Sequence, residues 1–259
     1  MKKAILITVR SNSSRLSNKS YKKIKGKHTI EYVIDQAKKS NLADMVILCT
    51  TELPEDDMLC EIATNNNIAF FRGSKKDKLE RWRGACDKYD IEFFATADGD
   101  DLFCSYELMD MAIAQFNDEQ CDFIYSDEVV CGSFTYGIKS SALRKACEIK
   151  DTDDTEMMWV YFTETGLFKL SLLKDIPAVY RRSDIRMTLD YQDDFNFFSK
   201  VIEQIELAVF DTRDVLTFLD KNKELININF YLEEKWKNNQ TSRTELVLKK
   251  AENEYDKRL

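Results

Sequence analysis

The chain reads as an α/β protein, a doubly wound and mostly parallel sheet followed by a helical C-terminal extension. Through the first hundred residues, short apolar, β-branched runs alternate with segments of helical apolar period. That is the pattern of strands buried on both faces and joined by crossover helices. Two Pro and seven Gly in 259 residues leave too little turn punctuation for a β-sandwich. A hydrophobic content of 44% provides material for a sizeable core.

The first strand is Ala4-Ile5-Leu6-Ile7-Thr8-Val9, and it delivers a polar, basic loop from Arg10 to Lys19 to its carboxyl end. Ile30, Val33, Ile34 and Ala37 recur at i, i+3, i+4, i+7 and predict an amphipathic helix ending near Lys38-Lys39. Met45 to Thr50 is a second buried strand. Pro54 with Glu55, Asp56 and Asp57 opens the next helix, which carries Met58, Leu59, Ile62 and Ala63 inward. Ile68-Ala69-Phe70-Phe71 is a third strand, stopped by Arg72-Gly73-Ser74, and Leu79, Trp82, Cys86 and Tyr89 mark a helix face. The fourth strand, Ile91 to Thr96, runs into Ala97-Asp98-Gly99-Asp100-Asp101. Ser105 caps a helix with Met109, Ala112, Ile113 and Phe116 inward, and Phe123 to Ser126 follows as a strand.

Between Val129 and Tyr180 the pattern is less regular. It predicts strands at Phe134 to Ile138 and Ala178 to Tyr180, and helices near Ser140 to Cys147 and Asp153 to Phe162. Ile185 to Asp190 reads as a returning strand, and Phe195, Phe198, Ile202 and Ile205 as one helix face. From Leu232 to Leu259 seven basic and six acidic residues are interspersed, the mark of a solvated helix or an oligomer arm, which leaves a homodimer open. No internal repeat or Gly/Ser linker divides the chain. Residues 1–210 are therefore read as one unit and 211–259 as an extension, not an independent domain.

Charge and cysteine content narrow the function. A net charge of -8 argues against a nucleic-acid partner, which would need broad basic surface. Yet seven Lys or Arg and no Asp or Glu lie between Arg10 and Lys27, a local excess that suits a small polyanion. The seven cysteines are scattered and never spaced as CxxC, so they are expected to be reduced, mostly buried thiols in a cytoplasmic protein. The apolar run after Met1-Lys2-Lys3 is too short for a signal peptide and no stretch approaches membrane-spanning length. A single histidine, His28, makes a Ser/His/Asp triad or a His-rich metal centre a poor reading, and neither GxxxxGK[ST] nor GxGxxG occurs.

Three groups of polar residues fall at predicted strand ends: the basic loop, Asp98-Gly99-Asp100-Asp101, and Asp190 with Asp193-Asp194. Ligands of open α/β sheets bind at that edge. Two carboxylates brought together from distant points, facing a cationic loop, suit a magnesium-nucleotide: hard oxygens for Mg2+ and cations for phosphate oxygens. An alternative role for Asp190 is capping the helix that follows it, and for Asp98 shaping a turn.

These residues resemble a known family. Val9-Arg10-Ser11-Asn12-Ser13-Ser14-Arg15-Leu16-Ser17-Asn18-Lys19 is similar to the [AV]RxxSxRLPxK signature of cytidylyltransferases that make CMP-activated acidic sugars. Gly26-Lys27 with Ile30-Glu31-Tyr32 resembles their GKPLLEY continuation. Phe71-Arg72-Gly73-Ser74 with Asp77 and Leu79 is similar to FRGSxxDxLxR of the spore coat polysaccharide biosynthesis protein F type, and Gly99-Asp100 to its GDxP turn. Arg186-Met187-Thr188-Leu189-Asp190 with Asp193-Asp194-Phe195 resembles its RLTVDTPEDF ending. The likeness runs in order from about residue 3 to 205. Ser17 and Asn18 replace the Pro and Gly of the loop signature, and Leu102-Phe103 stand in place of the Pro after the metal aspartate.

The resemblance implies a nucleotidyltransferase fold, Rossmann-like and GT-A-like, with CTP as nucleotide and Mg2+ as cofactor. It makes Arg10, Arg15 and Lys19 phosphate contacts, counts Ser13 and Asp98 with them among the nucleotide-binding residues, and puts Arg72, Ser74 and Asp77, also counted as nucleotide-binding, near the base or its supporting turn. Asp100 and Asp190 become the metal ligands, with Arg15, Lys19 and Asp100 as the catalytic set. The implied reaction is CMP transfer to a small anionic acceptor, such as an acidic sugar, a phosphonate or a phosphorylated polyol, for surface polysaccharide or glycoconjugate synthesis. Two other readings stay open: a GT-A glycosyltransferase using Asp98-Gly99-Asp100 as a DxD motif, and a catalytically silent binding relative.

Overall fold

The computed structural model describes residues 1–11 and 15–249. Seven strands form one sheet: β1 (Lys2–Thr8), β2 (Met45–Thr51), β3 (Ala69–Gly73), β4 (Ile91–Asp98), β5 (Phe123–Tyr125), β6 (Tyr136–Lys139) and β7 (Leu170–Leu172). Their spatial order is β3-β2-β1-β4-β6-β5-β7. All run parallel except β6, which is antiparallel to both neighbours.

The sheet separates two apolar cores. In β1, Ile5 and Ile7 face one and Ala4 and Leu6 the other, which is why the run lacks polar alternation. The helices α1 (Thr29–Ala37), α2 (Asp57–Asn65) and α3 (Lys78–Tyr89) carry the early crossovers. After them come α4 (Tyr106–Glu119), α5 (Ser140–Ile149), the single turn α6 (Val160–Thr163), α7 (Gln192–Gln204), α8 (Thr212–Lys221) and α9 (Glu233–Ser242). On one face α1, α2, α4, α7 and α8 supply the core, and on the other α3, α5 and α6. Ser105 caps α4 as expected, its hydroxyl accepting from the Leu108 amide at 3.3 Å.

Between Val129 and Asp190 the chain departs from expectation in four places. The strand expected at Ala178 to Tyr180 is a 3-10 turn, started by Pro177, whose carbonyl accepts from the Tyr180 amide. The helix expected over Asp153 to Phe162 is reduced to α6. Thr155 is claimed by tertiary bonds instead, its hydroxyl donating to Asp77 at 2.8 Å and accepting from the Leu79 amide at 3.0 Å. Ile185 to Asp190 is extended but joins no sheet: the amides of Met187 and Leu189 donate to the loop carbonyls of Cys131 and Asp100, both at 2.9 Å. The edge strand β7 was not foreseen, being only three residues long.

Beyond residue 210, α8 buries Val215, Leu216 and Leu219 in the first core. Past α9, the chain docks on the end of α5, where Asp151 donates its amide to Val247 and Ile149 accepts from Lys249, both at 2.9 Å. The seven cysteines are unpaired. Among the described residues no helix is long and apolar enough to cross a membrane.

Candidate active site

The carboxyl ends of β1, β2 and β4 open into a cleft of about 1390 Å³. Close packing of two strand ends sets its floor. The Gly99 amide donates to the Thr8 carbonyl at 2.8 Å, and a Cβ on Gly99 would lie 2.6 Å from the Val9 side chain, so only glycine lets the Asp98-Gly99-Asp100 turn approach β1 this closely. The Asp100 carbonyl in turn accepts from the Leu189 amide, which draws the 186–190 segment alongside. Asp56 secures the start of the basic loop: its buried carboxylate accepts from the Ser11 amide at 2.8 Å and from the hydroxyls of Thr50 and Thr51. Burial alone would raise the Asp56 pKa, but those donors hold it below the ordinary value.

Loop and carboxylates meet at Lys19. Its ammonium donates to Asp100 and, at 2.8 Å, to Asp190 Oδ1, and Arg15 donates to the same Asp190 oxygen at 2.7 Å. Burial would depress the Lys19 pKa, and the two carboxylates more than offset it, so the ammonium stays charged. The two acids part company. Asp190 is buried, yet Lys19 and Arg15 together hold it down at about 2, whereas burial and the nearby Asp190 and Asp98 charges raise Asp100 in spite of Lys19. Asp190 is not a helix cap. Tyr191 and Asp194 form the capping box of α7, and this removes the bland reading of Asp190.

Behind Asp190 lies a second, dry ion network. Arg186 is fully buried and makes two bonds to Asp194 (3.0 and 3.2 Å) and one to Glu233 (3.1 Å). Asp194 Oδ2 accepts from the amides of Asp190 (2.8 Å) and Tyr191 (2.9 Å), and Asn229 donates to Oδ1. Asp190 is thus fixed through its own backbone.

The other sequence candidates divide. Arg10 lines the cleft and pairs with Glu156 at 3.2 Å, and Asp98 lines it while pairing with Lys78 at 3.0 Å. Ser13 lies outside the described residues. Arg72, Ser74 and Asp77 do not line the cleft. Arg72 is spent on the Thr51 and Leu53 carbonyls and Asp57. Ser74 accepts from the Asp77 amide, and Asp77 caps α3 while pairing with Lys150 at 2.5 Å. Of the two places expected for these three, beside the base or in its supporting turn, their contacts match the supporting turn, and their assignment as nucleotide contacts is corrected accordingly. Asn18, where the resemblance has glycine, takes the left-handed conformation (φ 51°) that asparagine tolerates better than most residues.

Sequence reading passed over Asp56, Lys75, Lys76 and Arg81, which also line the cleft. Arg81 was detectable as the final Arg of FRGSxxDxLxR. Lys75 and Lys76 carried no signal beyond their charge.

A doubly wound sheet whose first loop sets cations against two carboxylates at the carboxyl edge defines a nucleotidyltransferase. Residues 4–235 match the family model for Cytidylyltransferase, and the chain belongs to that family of CTP-dependent enzymes. It is 30% identical over 232 residues to an uncharacterized protein of Methanocaldococcus jannaschii, covering 89% of this chain and 95% of that one. It is 20% identical to the spore coat polysaccharide biosynthesis protein SpsF of Bacillus subtilis, over 85% and 94% of the two chains. A cytidylyltransferase structure from Leptospira borgpetersenii superposes with a TM-score of 0.79 at 25% identity, covering 87% of this chain and 97% of that one.

Proposed function

We propose that this enzyme transfers CMP from CTP to a small anionic acceptor, an acidic sugar, a phosphonate or a phosphorylated polyol, and releases pyrophosphate. The observation that carries the reading is the meeting of Arg15 and Lys19 with Asp100 and Asp190 in one cleft. Similarity to a spore coat polysaccharide biosynthesis protein supports a role in surface polysaccharide or glycoconjugate synthesis.

In this reading Arg15 and Lys19 leave their carboxylate partners for triphosphate oxygens, holding the chain of phosphates in line. An acceptor oxygen, already ionised in a phosphate or phosphonate and giving up its proton to solvent in a sugar hydroxyl, attacks the α-phosphorus; the new P–O bond forms as the bond to the β-phosphate oxygen breaks, and pyrophosphate departs with the electron pair. No covalent bond to protein is needed, so positioning and charge neutralisation supply the rate. Asp100 and Asp190 fit Mg2+: two carboxylates are the share it takes from protein when phosphates and water complete its shell, and a cation, the Lys19 ammonium, already bridges them. Bound there, the ion would neutralise charge growing on the phosphate oxygens.

The test is pyrophosphate release from CTP with Mg2+ and a panel of acidic sugars, phosphonates and phosphorylated polyols. Activity is expected with at least one acceptor and should fall about 100-fold or more in Asp100→Ala. Turnover of a UDP- or GDP-sugar without pyrophosphate would replace this reading with the glycosyltransferase one.

A further inference from the structure

The helix α9 is polar on every side, with Trp236 its one large apolar residue, so burying an apolar stripe does not explain its place. Polar contacts hold it instead. Glu233 reaches the buried Arg186, whose guanidinium lies 5.1 Å from the Trp236 ring, and Asn239 donates to the Tyr191 hydroxyl at 3.0 Å. At the other end the chain is tied to Asp151 and Ile149. So fixed, α9 turns Trp236, Lys237, Gln240 and Thr241 into the cleft, with Arg243 just beyond.

Two further facts give this wall a purpose. The cleft, at about 1390 Å³, exceeds the roughly 300–1,000 Å³ typical of a pocket for one ligand. Residues from Trp236 onward also lie beyond the segment that matches the family model, which already contains the loop and both carboxylates. Of the other cations lining the cleft, Arg181 is paired with Glu128, Arg182 with Asp184 and Asp220, and Lys237 with Glu233, while Lys75 and Lys76, like Arg243, have no ion-pair partner among the described residues. Among the described residues, Arg243 has no carboxylate within ion-pair distance although it lines the cleft.

We infer that α9 and Arg243 form the acceptor subsite, with Arg243 receiving the acceptor's carboxylate, phosphate or phosphonate and Gln240 and Thr241 meeting its hydroxyls. The inference deepens the CMP-transfer reading and rests on it for the acceptor's identity. A guanidinium suits any of the three acids because its fork of donors matches two acid oxygens at once.

The probes are glucuronate, glycerol 3-phosphate and 2-aminoethylphosphonate, with glucose and glycerol as uncharged counterparts. Binding is measured by calorimetry and turnover by pyrophosphate release. At least one charged probe should bind while the uncharged ones do not, and Arg243→Gln should weaken that probe about 10- to 100-fold, with Arg243→Lys partly restoring it. CTP affinity and melting temperature should be unchanged. The subsite is overturned if no charged probe binds wild type, if Arg243→Gln leaves probe affinity intact, or if it weakens CTP instead. A probe that binds through Arg243 while no acceptor of the panel gives pyrophosphate leaves an anion-binding site at Arg243 standing and overturns its role as an acceptor subsite together with the CMP-transfer reading.

Discussion

Two ion networks meet at Asp190, and they are built for opposite purposes. On the cleft side Lys19 and Arg15 touch its carboxylate, and both retain some exposure, so they are free to exchange partners when phosphate arrives. On the protein side Arg186 and Asp194 are fully buried, with Glu233 closing the network at the cleft wall; Asp194 holds the Asp190 backbone and Arg186 lies 3.9 Å from its carboxylate. In the proposed CMP transfer the first network is the one that binds phosphate and the second places the acid. The difference teaches that an acid at a strand end does not by itself make a site; its neighbours must leave one face fixed and the other replaceable.

The largest break in this comparison should come from Arg186→Met, which strands Asp194 and Glu233 as buried charges. A loss of about 3–5 kcal/mol in unfolding free energy is expected, read from the urea midpoint. Asp190→Asn attacks the replaceable side. Pyrophosphate release should fall about 10²- to 10³-fold while the urea midpoint moves less than in Arg186→Met; the reverse ranking would abolish the distinction.

Acid titration sharpens it further. The Asp190 pKa is held at about 2, below its ordinary value of 3.8, so its contribution is complete above about pH 4 and disappears as the pH drops through 2. That contribution is of order 2 kcal/mol. The stability gap between wild type and Asp190→Asn should therefore narrow steadily from pH 4 to pH 2. A smaller effect is expected for Arg15→Ala, about a 10-fold loss of CTP affinity with little change in melting temperature. Unchanged affinity would take the loop out of the site. Least affected should be CTP binding in Arg72→Gln, where KM stays within about twofold and only thermal stability declines.

Much of this could be read from the chain. β1 through β4 were legible because each is a buried apolar run, and the meeting of Arg15 and Lys19 with Asp100 followed from where such strands deliver their loops; Asp190 arrives there on a segment outside the sheet, tied by the Leu189 amide to the Asp100 carbonyl. Ser74 and Asp77 misled because a polar residue in a loop looks the same whether it faces a ligand or caps a helix. Asp153 to Trp159 misled because Thr155 answers to Asp77, far away in sequence. α9 gave no signal as a cleft wall, since helical periodicity reports burial against apolar neighbours and this helix has almost none.

The lone reversed strand, β6, has a consequence for how such an enzyme diversifies. Because β5 and β6 form a hairpin, the ten residues 126–135 turn back at the same edge as Asp98 and need no crossover helix to get there. Gly132, at φ +83° and with a Cβ position 2.1 Å from the Met187 carbonyl, marks the point where that turn is pinned to the rest. Elsewhere in the turn, insertions or exchanges would remodel the rim without asking any strand to find a new neighbour, so descendants could try new acceptors on an unaltered frame.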